Sequence, residues 1–442
     1  MRSRRTADGG WARTKVGGLV PRRIRKLRGG PRRHKSSGNA RNRPAAHGLR
    51  ILRIADIPRD RAGGVHGYMT MSGEALRQRG HEVQFMFRED LASWPRYGGL
   101  RRLIIPLVLP IRGALAQRRS PRADVVEIHE PLAAPYSFLA SRSRGALPPC
   151  VVLSHGLGER LWQETKRSAR AAGWRVPLKS RLLVPLTLVL PSRYGLRHAA
   201  HVVVLSSEDA EFVRSELRVP SWRVSCAPTG VTQRFFAAPP PTPDASGVRV
   251  IFVGTWIERK GIRELCAAWE RLCAEDSTTT LTVVGASAQE VNGRLRSEQG
   301  RVTALPYVSQ DDLPAVLARH DIFVLPTWFE GMPLSVLEAA ASALPCIVGA
   351  TCGNLDIFPP GDPAAHGGIL IAPRDSVALA SAIRQLRDDP QLRVALGGRA
   401  RQRARHFSWE STAEYLESAY RRAGNRRHTA GATSQVQGRG PA

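Results

Sequence analysis

No stretch of this 442-residue chain is apolar for the roughly 18 consecutive residues that a bilayer-spanning helix needs. Its longest apolar runs, near 103–111 and 182–190, are half that length and are broken by prolines. The first ten residues have no apolar core of a secretory signal, so we expect a cytoplasmic protein, peripheral at most on the inner face of the membrane. The six cysteines (150, 226, 266, 273, 346, 352) form no Cys-x-x-Cys pair, and several lie inside apolar runs, where a thiol acts as a small buried hydrophobe. That disfavours both a disulfide framework and a zinc site. No Asp-x-Asp occurs, so nothing suggests a dedicated metal site. The first glycine turn, Gly63-Gly64-Val65-His66-Gly67, is not a G-x-G-x-x-G followed by a ribose-binding acid, which disfavours an NAD dehydrogenase.

Positive charge, by contrast, is plentiful: 66 Lys and Arg against 37 Asp and Glu, a formal net charge of +29. Such a surplus suggests a polyanionic partner until it is located. Residues 1–47 hold 15 Lys and Arg against one acid, Asp8, and the chain after Tyr420 adds Arg421, Arg422, Arg426, Arg427 and Arg439 with none. The two ends account for 19 of the 29 charges. Both are poor in apolar residues, so 1–47 and 424–442 are expected to be a disordered basic arm and a disordered tail. The arm reads as a solvated extension or misassigned start, or as a segment drawn to anionic lipid headgroups by about 1 kcal/mol per basic residue near the surface. Nucleic acid is a less favoured partner, because no recognised reading module accompanies the charge.

Between the ends, strands and helices alternate. Residues 49–55 read as a first strand; the glycine turn, a helical pattern and a second strand from His81 complete a β-α-β unit. Further strands are expected at 124–128, 151–154 and 201–205. The basic and apolar stretches 98–122 and 161–198 fit either helices on a membrane interface or ordinary surface helices. Residues 237–247 are a proline-rich linker. Beyond it we expect strands at 248–254, 281–285, 302–306, 321–325, 346–349 and 368–371, with helices at 261–275, 311–319, 333–343 and 376–387. The resulting fold class is α/β: two Rossmann-like, doubly wound domains (48–236 and 248–405) facing across a cleft, followed by a helix at 406–423.

The chemistry concentrates at strand ends. Arg259 and Lys260 follow the strand at 248–254 and precede a helix start, where the free N–H groups already favour an anion. Glu330 lies between the strand ending at Pro326 and a helix near Pro333, with the amides of Gly331 and Met332 beside it; Glu338 lies within that helix. Carboxylates are good acceptors for sugar or ribose hydroxyls. His155 sits at a strand end before Gly156, a position that suits either a site residue or a plain loop histidine; His129 has the weaker case.

Lys260-Gly261, the Val283-Val284-Gly285 strand end, Glu330-Gly331-Met332-Pro333 with a second glutamate eight positions on, and Gly353-Asn354 occur in that order. The chain resembles the family 4 glycosyltransferases of the GT-B class, retaining enzymes that use a nucleotide sugar. The resemblance spans roughly 49–420, with Ser154-His155-Gly156 and Pro228-Thr229-Gly230-Val231 agreeing in the first half. It implies an acceptor-binding first domain, a nucleotide-sugar-binding second domain and a last helix packing back toward the first. It further implies that Glu330 binds donor-sugar hydroxyls, that His155 lies near the reacting centre and that Glu338 takes the ribose. Lys260, the Gly63 and Gly64 amides and the helix start at Gly331, Met332, Pro333 and Leu334 would stabilise the leaving diphosphate. The family commonly has arginine where Thr255 stands, and Arg259 is the candidate for the second cation. No metal or bound cofactor is expected, the nucleotide sugar being a co-substrate. The expected partners are a glycan or lipid-linked acceptor in cell-envelope glycan synthesis and an anionic membrane surface. Two rivals are a nucleic-acid-binding protein acting through 1–47 and a catalytically silent sugar-nucleotide binder.

Overall fold

The computed structural model describes residues 48–59, 63–91, 104–105, 107–109, 122–171, 173–240, 247–275, 278–295 and 300–436. The basic arm, most of 98–122 and the linker residues 241–246 lie outside them. In the first sheet, β1 (Arg50–Ile54), β2 (Glu82–Met86), β3 (Val125–His129), β4 (Cys150–Ser154), β5 (His201–Val204) and β6 (Val224–Cys226) run in the order β2-β1-β3-β4-β5-β6. The second holds β7 (Arg249–Val253), β8 (Thr280–Val284), β9 (Val302–Leu305), β10 (Ile322–Leu325), β11 (Cys346–Gly349) and β12 (Gly368–Ile371), in the order β12-β11-β10-β7-β8-β9. All pairings are parallel.

Helices cover both faces of such sheets, so their strands read as unbroken Val, Ile and Leu rather than as an alternation. Accordingly β3, β4, β5, β10 and β11 are buried at every residue. The expected α/β class with two doubly wound sheets is what the structure has. Elements beyond those expected include the three-residue β6 and helices at Ala134–Arg142, Ser207–Ser215, Ala288–Asn292, Cys352–Ile357 and Pro390–Ala404. The last buries mainly small residues, Gly397, Ala400 and Ala404 beside Leu396, so its apolar stripe is faint in the sequence. Of the stretch 98–122, Ile105 and Leu109 are buried in the first core, while Leu107 is exposed.

Strand order reverses between β1 and β3 in the first sheet and between β7 and β10 in the second. Ligands of open α/β sheets sit beyond the carboxyl ends of strands at such switch points. The turn before the helix Gly64–Gln78 follows β1, Arg259 and Lys260 follow β7, and Glu330 follows β10. The last helix, Trp409–Val436, returns to the first sheet, where the Tyr420 hydroxyl donates to Glu127 at 2.6 Å. On the surface Arg79 pairs with Glu417 at 2.9 Å and Glu414 at 3.2 Å. This helix runs into the segment expected to be a disordered tail, through Val436. Arginine and alanine are among the best helix formers, so a basic composition does not end a helix already anchored upstream.

Candidate active site

The loop after β10 is laced to the loop after β7. Thr327 Oγ1 donates to the Arg259 carbonyl at 2.9 Å, and the Trp328 indole donates to the Glu258 carbonyl at 2.6 Å. Gly261, at φ 77°, makes this fit possible, since a Cβ there would lie 2.0 Å from the Pro326 carbonyl oxygen. Lys260 Nζ lies 2.7 Å from Glu330 Oε1, and Arg259 pairs with the same oxygen while donating to the Phe329 carbonyl at 2.9 Å. Burial alone would raise the Glu330 carboxyl; Lys260 and Arg259 reverse that and hold it below its usual range. The two cations and the carboxylate singled out in the sequence are thus one cluster, and Thr255 is an exposed residue beside it.

Two helix starts meet next to this cluster. The helix Gly64–Gln78 has no side-chain cap at Gly63 and no acid in its first turn; the helix Leu334–Ala341 has no cap at Pro333 and no acid in its first turn. A Cβ on Gly67 would lie 3.4 Å from Leu334 Cδ1, so the two starts, one from each sheet, adjoin. The first N–H groups of a helix have no intrahelical acceptor and carry the positive end of its dipole. Side chains at Gly63 and Gly64 would meet nothing within 4 Å, leaving room for close approach to that turn. Met332 is buried, its sulfur accepting from the Thr229 amide at 3.2 Å.

His155, just past β4, is half-buried, and its backbone lies against the Glu330 loop: a Cβ on Gly331 would fall 2.1 Å from the His155 carbonyl oxygen. Glu338 is buried in its helix, where desolvation, opposed by a hydrogen bond from Gln310 and by Arg234, raises its carboxyl to about 7.

Sequence reasoning missed what stands behind His155. His155 Nε2 is 3.0 Å from His129 Nδ1, and His129 Nε2 is 3.0 Å from Glu127 Oε1. Arg53, opposite Glu127 in the β1–β3 register, donates to that oxygen at 2.7 Å. Arg53, Glu127 and Tyr420 are almost fully buried. Burial works against the Glu127 charge, but Arg53, His129 and Tyr420 hold the carboxyl at about 2. The available signal was an arginine and a glutamate inside adjacent strands that are otherwise apolar.

Beside the same loop, a cavity of about 310 Å³ opens between the helix Gly158–Ala171 and the loops at Trp328, Thr351 and Arg374. Arg160, Gln163 and Glu164 also line it, whereas His155, Lys260 and Glu338 do not. Arg374 stacks over Trp328 at 5.3 Å and donates to Ser168 Oγ, joining the second half to the first.

Comparison with known proteins bears on the family and the fold. Residues 62–234 match the model described as Glycosyltransferase Family 4, and residues 247–389 match Glycosyl transferases group 1. The chain belongs to the family 4 glycosyltransferases. Its two facing sheets are the family's GT-B architecture. The chain is 31% identical to the glycogen synthase of Mycobacterium tuberculosis over 185 residues, 40% of this chain and 43% of that protein. It is 27% identical over 286 residues to the UDP-Gal:alpha-D-GlcNAc-diphosphoundecaprenol alpha-1,3-galactosyltransferase of Escherichia coli, 61% of this chain and 68% of that protein. The chain therefore spans less than half the length of the first relative and about two thirds of the second. Sucrose-phosphate synthase from Thermosynechococcus elongatus shares the fold, with a TM-score of 0.68 and 21% identity over 84% of this chain and 98% of that one.

Proposed function

We propose that this glycosyltransferase moves a hexose, with retention at the anomeric carbon, from a nucleotide sugar to a glycan or lipid-linked acceptor in cell-envelope glycan synthesis. The observation that carries the reading is the meeting of two uncapped, acid-free helix starts beside Lys260 and Arg259. Free N–H groups and fixed cations aimed at one place suit a diphosphate, whose charge grows as the sugar departs. Lys260 and Arg259 share their charge between Glu330 and the diphosphate, Glu330 accepts from donor-sugar hydroxyls, and Glu338 accepts from the ribose. His155 stands at the sugar, opposite Gly331. These groups supply the charge stabilisation themselves, so we propose that turnover is independent of a divalent metal and survives a chelator.

The acceptor side rests on separate observations. The cavity lined by Arg160, Gln163, Glu164 and Trp328 offers the aromatic face and directional polar groups that a saccharide needs. Leu178, Leu182, Leu186 and Leu190 are 69%, 61%, 58% and 55% exposed, and residues 171–198 contain no acid, which suits an anionic lipid surface. A lipid-linked acceptor is also what the name of the galactosyltransferase relative describes for that protein.

The test is thermal shift against UDP-, GDP-, ADP- and dTDP-sugars, followed by nucleoside diphosphate release with Glu330→Gln and Lys260→Ala as controls. Stabilisation by one nucleotide class, with release that both variants suppress, supports the reading. Binding without release in any acceptor mixture would refute transfer, and release unchanged in both variants would refute the site.

A further inference from the structure

The buried line behind His155 fixes where its proton sits. Glu127, held ionised by Arg53 and Tyr420, can only accept, so His129 Nε2 carries the hydrogen shared with Glu127 Oε1 at 3.0 Å. A neutral imidazole protonated at Nε2 has its lone pair on Nδ1. That nitrogen faces His155 Nε2 at 3.0 Å, so His155 Nε2 is the donor and the lone pair of His155 is left on Nδ1. The competing arrangement requires a doubly protonated His129. Burial lowers the proton affinity of His129, and Arg53 adds to that, against the opposing pull of Glu127. Burial and the neighbouring His129 likewise keep His155 neutral.

We propose that Glu127 and His129 are positioning residues that hold His155 as the neutral Nε2–H tautomer, presenting Nδ1 as a hydrogen-bond acceptor to the donor sugar. The Tyr68 ring, edge-on to His155 at 5.1 Å, supports the imidazole from the side of the helix Gly64–Gln78. His155 then receives a hydrogen bond from a sugar hydroxyl and is not itself a cation or donor at the reacting centre. This deepens the reading of His155 as the group at the sugar, but the tautomer can be measured without turnover.

In full-length protein labelled with ¹⁵N-histidine, with His155→Gln identifying the His155 resonances, Nδ1 of His155 is expected in the range of an unprotonated ring nitrogen and Nε2 in the protonated range. The reverse pattern would overturn the proposal whether or not the chain turns over a nucleotide sugar. For function, His129→Phe removes the acceptor, while His129→Asn retains an oxygen near the Nδ1 position. His129→Phe is expected to lose on the order of a hundredfold in kcat, with stabilisation by nucleoside diphosphate intact, and His129→Asn to recover most of that loss. Both variants are first checked for wild-type circular dichroism, and Glu127→Gln, whose amide oxygen still accepts from His129, replaces any that misfolds and is expected to keep the tautomer. Equal activity of folded His129→Phe and wild type, or an inverted tautomer in Glu127→Gln, counts against the assignment.

Discussion

Glu338 shows how one residue links burial, pH and ligand. Desolvation raises its carboxyl to about 7, so the folded chain keeps a proton that the unfolded chain releases near the ordinary 4.5. Stability is therefore lost as pH rises from 4.5 through about 7 and changes no further above it. Glu338→Gln, neutral throughout, should melt higher than wild type at pH 8, by up to roughly 3 kcal/mol, with the difference closing toward pH 4.5. If Glu338 takes the ribose as proposed, hydroxyls donating to its carboxylate would favour the ionised form, and nucleotide affinity should rise between pH 6 and 8 in wild type more than in Glu338→Gln. Parallel pH profiles in calorimetry would remove the ribose from this residue. Lys260 and Arg259 differ in a second way. Lys260 is the less exposed of the two, and Arg259 is also tied to the Phe329 carbonyl, so Lys260 is freer to turn from Glu330 to a phosphate. Lys260→Ala should weaken nucleoside diphosphate binding by about ten- to a hundredfold, and Arg259→Ala by less. The opposite order would show that Arg259 is the main phosphate cation.

Elements explain why two glycines near each other in the site answer differently to the same change. Gly331 carries the loop after β10 against the His155 carbonyl, and both sides of that contact are backbone, which no rotamer change relieves. Gly331→Ala should lower the melting temperature and abolish turnover. Gly64 opens a helix, and its added methyl meets nothing, so Gly64→Ala should melt at or above wild type yet bind nucleoside diphosphate more weakly. If Gly64→Ala binds as well as wild type, the diphosphate does not approach that turn. The same elements set what could be read from the sequence. Strand ends with Lys260, Glu330 and His155 are local patterns, visible because turn residues and unbroken apolar runs mark where each strand stops. The line of Arg53, Glu127, His129, His155 and Tyr420 is not local. It exists only once β1, β3 and β4 lie side by side in register and the last helix returns. No spacing rule joins residues from 53 to 420; only a buried charge in an apolar strand hinted that a partner must exist.

At the scale of the molecule, the proposed membrane surface would be met by an exposed leucine row. The row at Leu178, Leu182, Leu186 and Leu190 belongs to consecutive helical segments, Leu178–Val184, Pro185–Val189 and Leu190–His198, the middle one a π-helix. Pro185 has no N–H to give, which favours such a bulge. In an α-helix, every fourth residue drifts steadily around the axis; the wider π turn drifts the other way and keeps the four leucines on one side. Lys179 and Arg181 flank them, so on the proposed membrane-facing side headgroup attraction and apolar insertion would act together. The preceding helix, Gly158–Ala171, lines the cavity beside the Glu330 loop, so a membrane held on the leucine row would deliver a lipid-linked acceptor near that cavity. Full-length protein should therefore co-sediment with phosphatidylglycerol vesicles at low salt and much less with phosphatidylcholine vesicles. Raising ionic strength from about 0.01 M to 0.15 M shortens the screening length from about 30 Å to about 8 Å and should release much of it. Leu182→Asp with Leu186→Asp should weaken sedimentation further at either salt while leaving nucleotide binding unchanged, since neither residue touches the nucleotide side. Undiminished sedimentation of that double variant would assign all membrane attraction to charge elsewhere in the chain, and the leucine row would then have no part in presenting the acceptor.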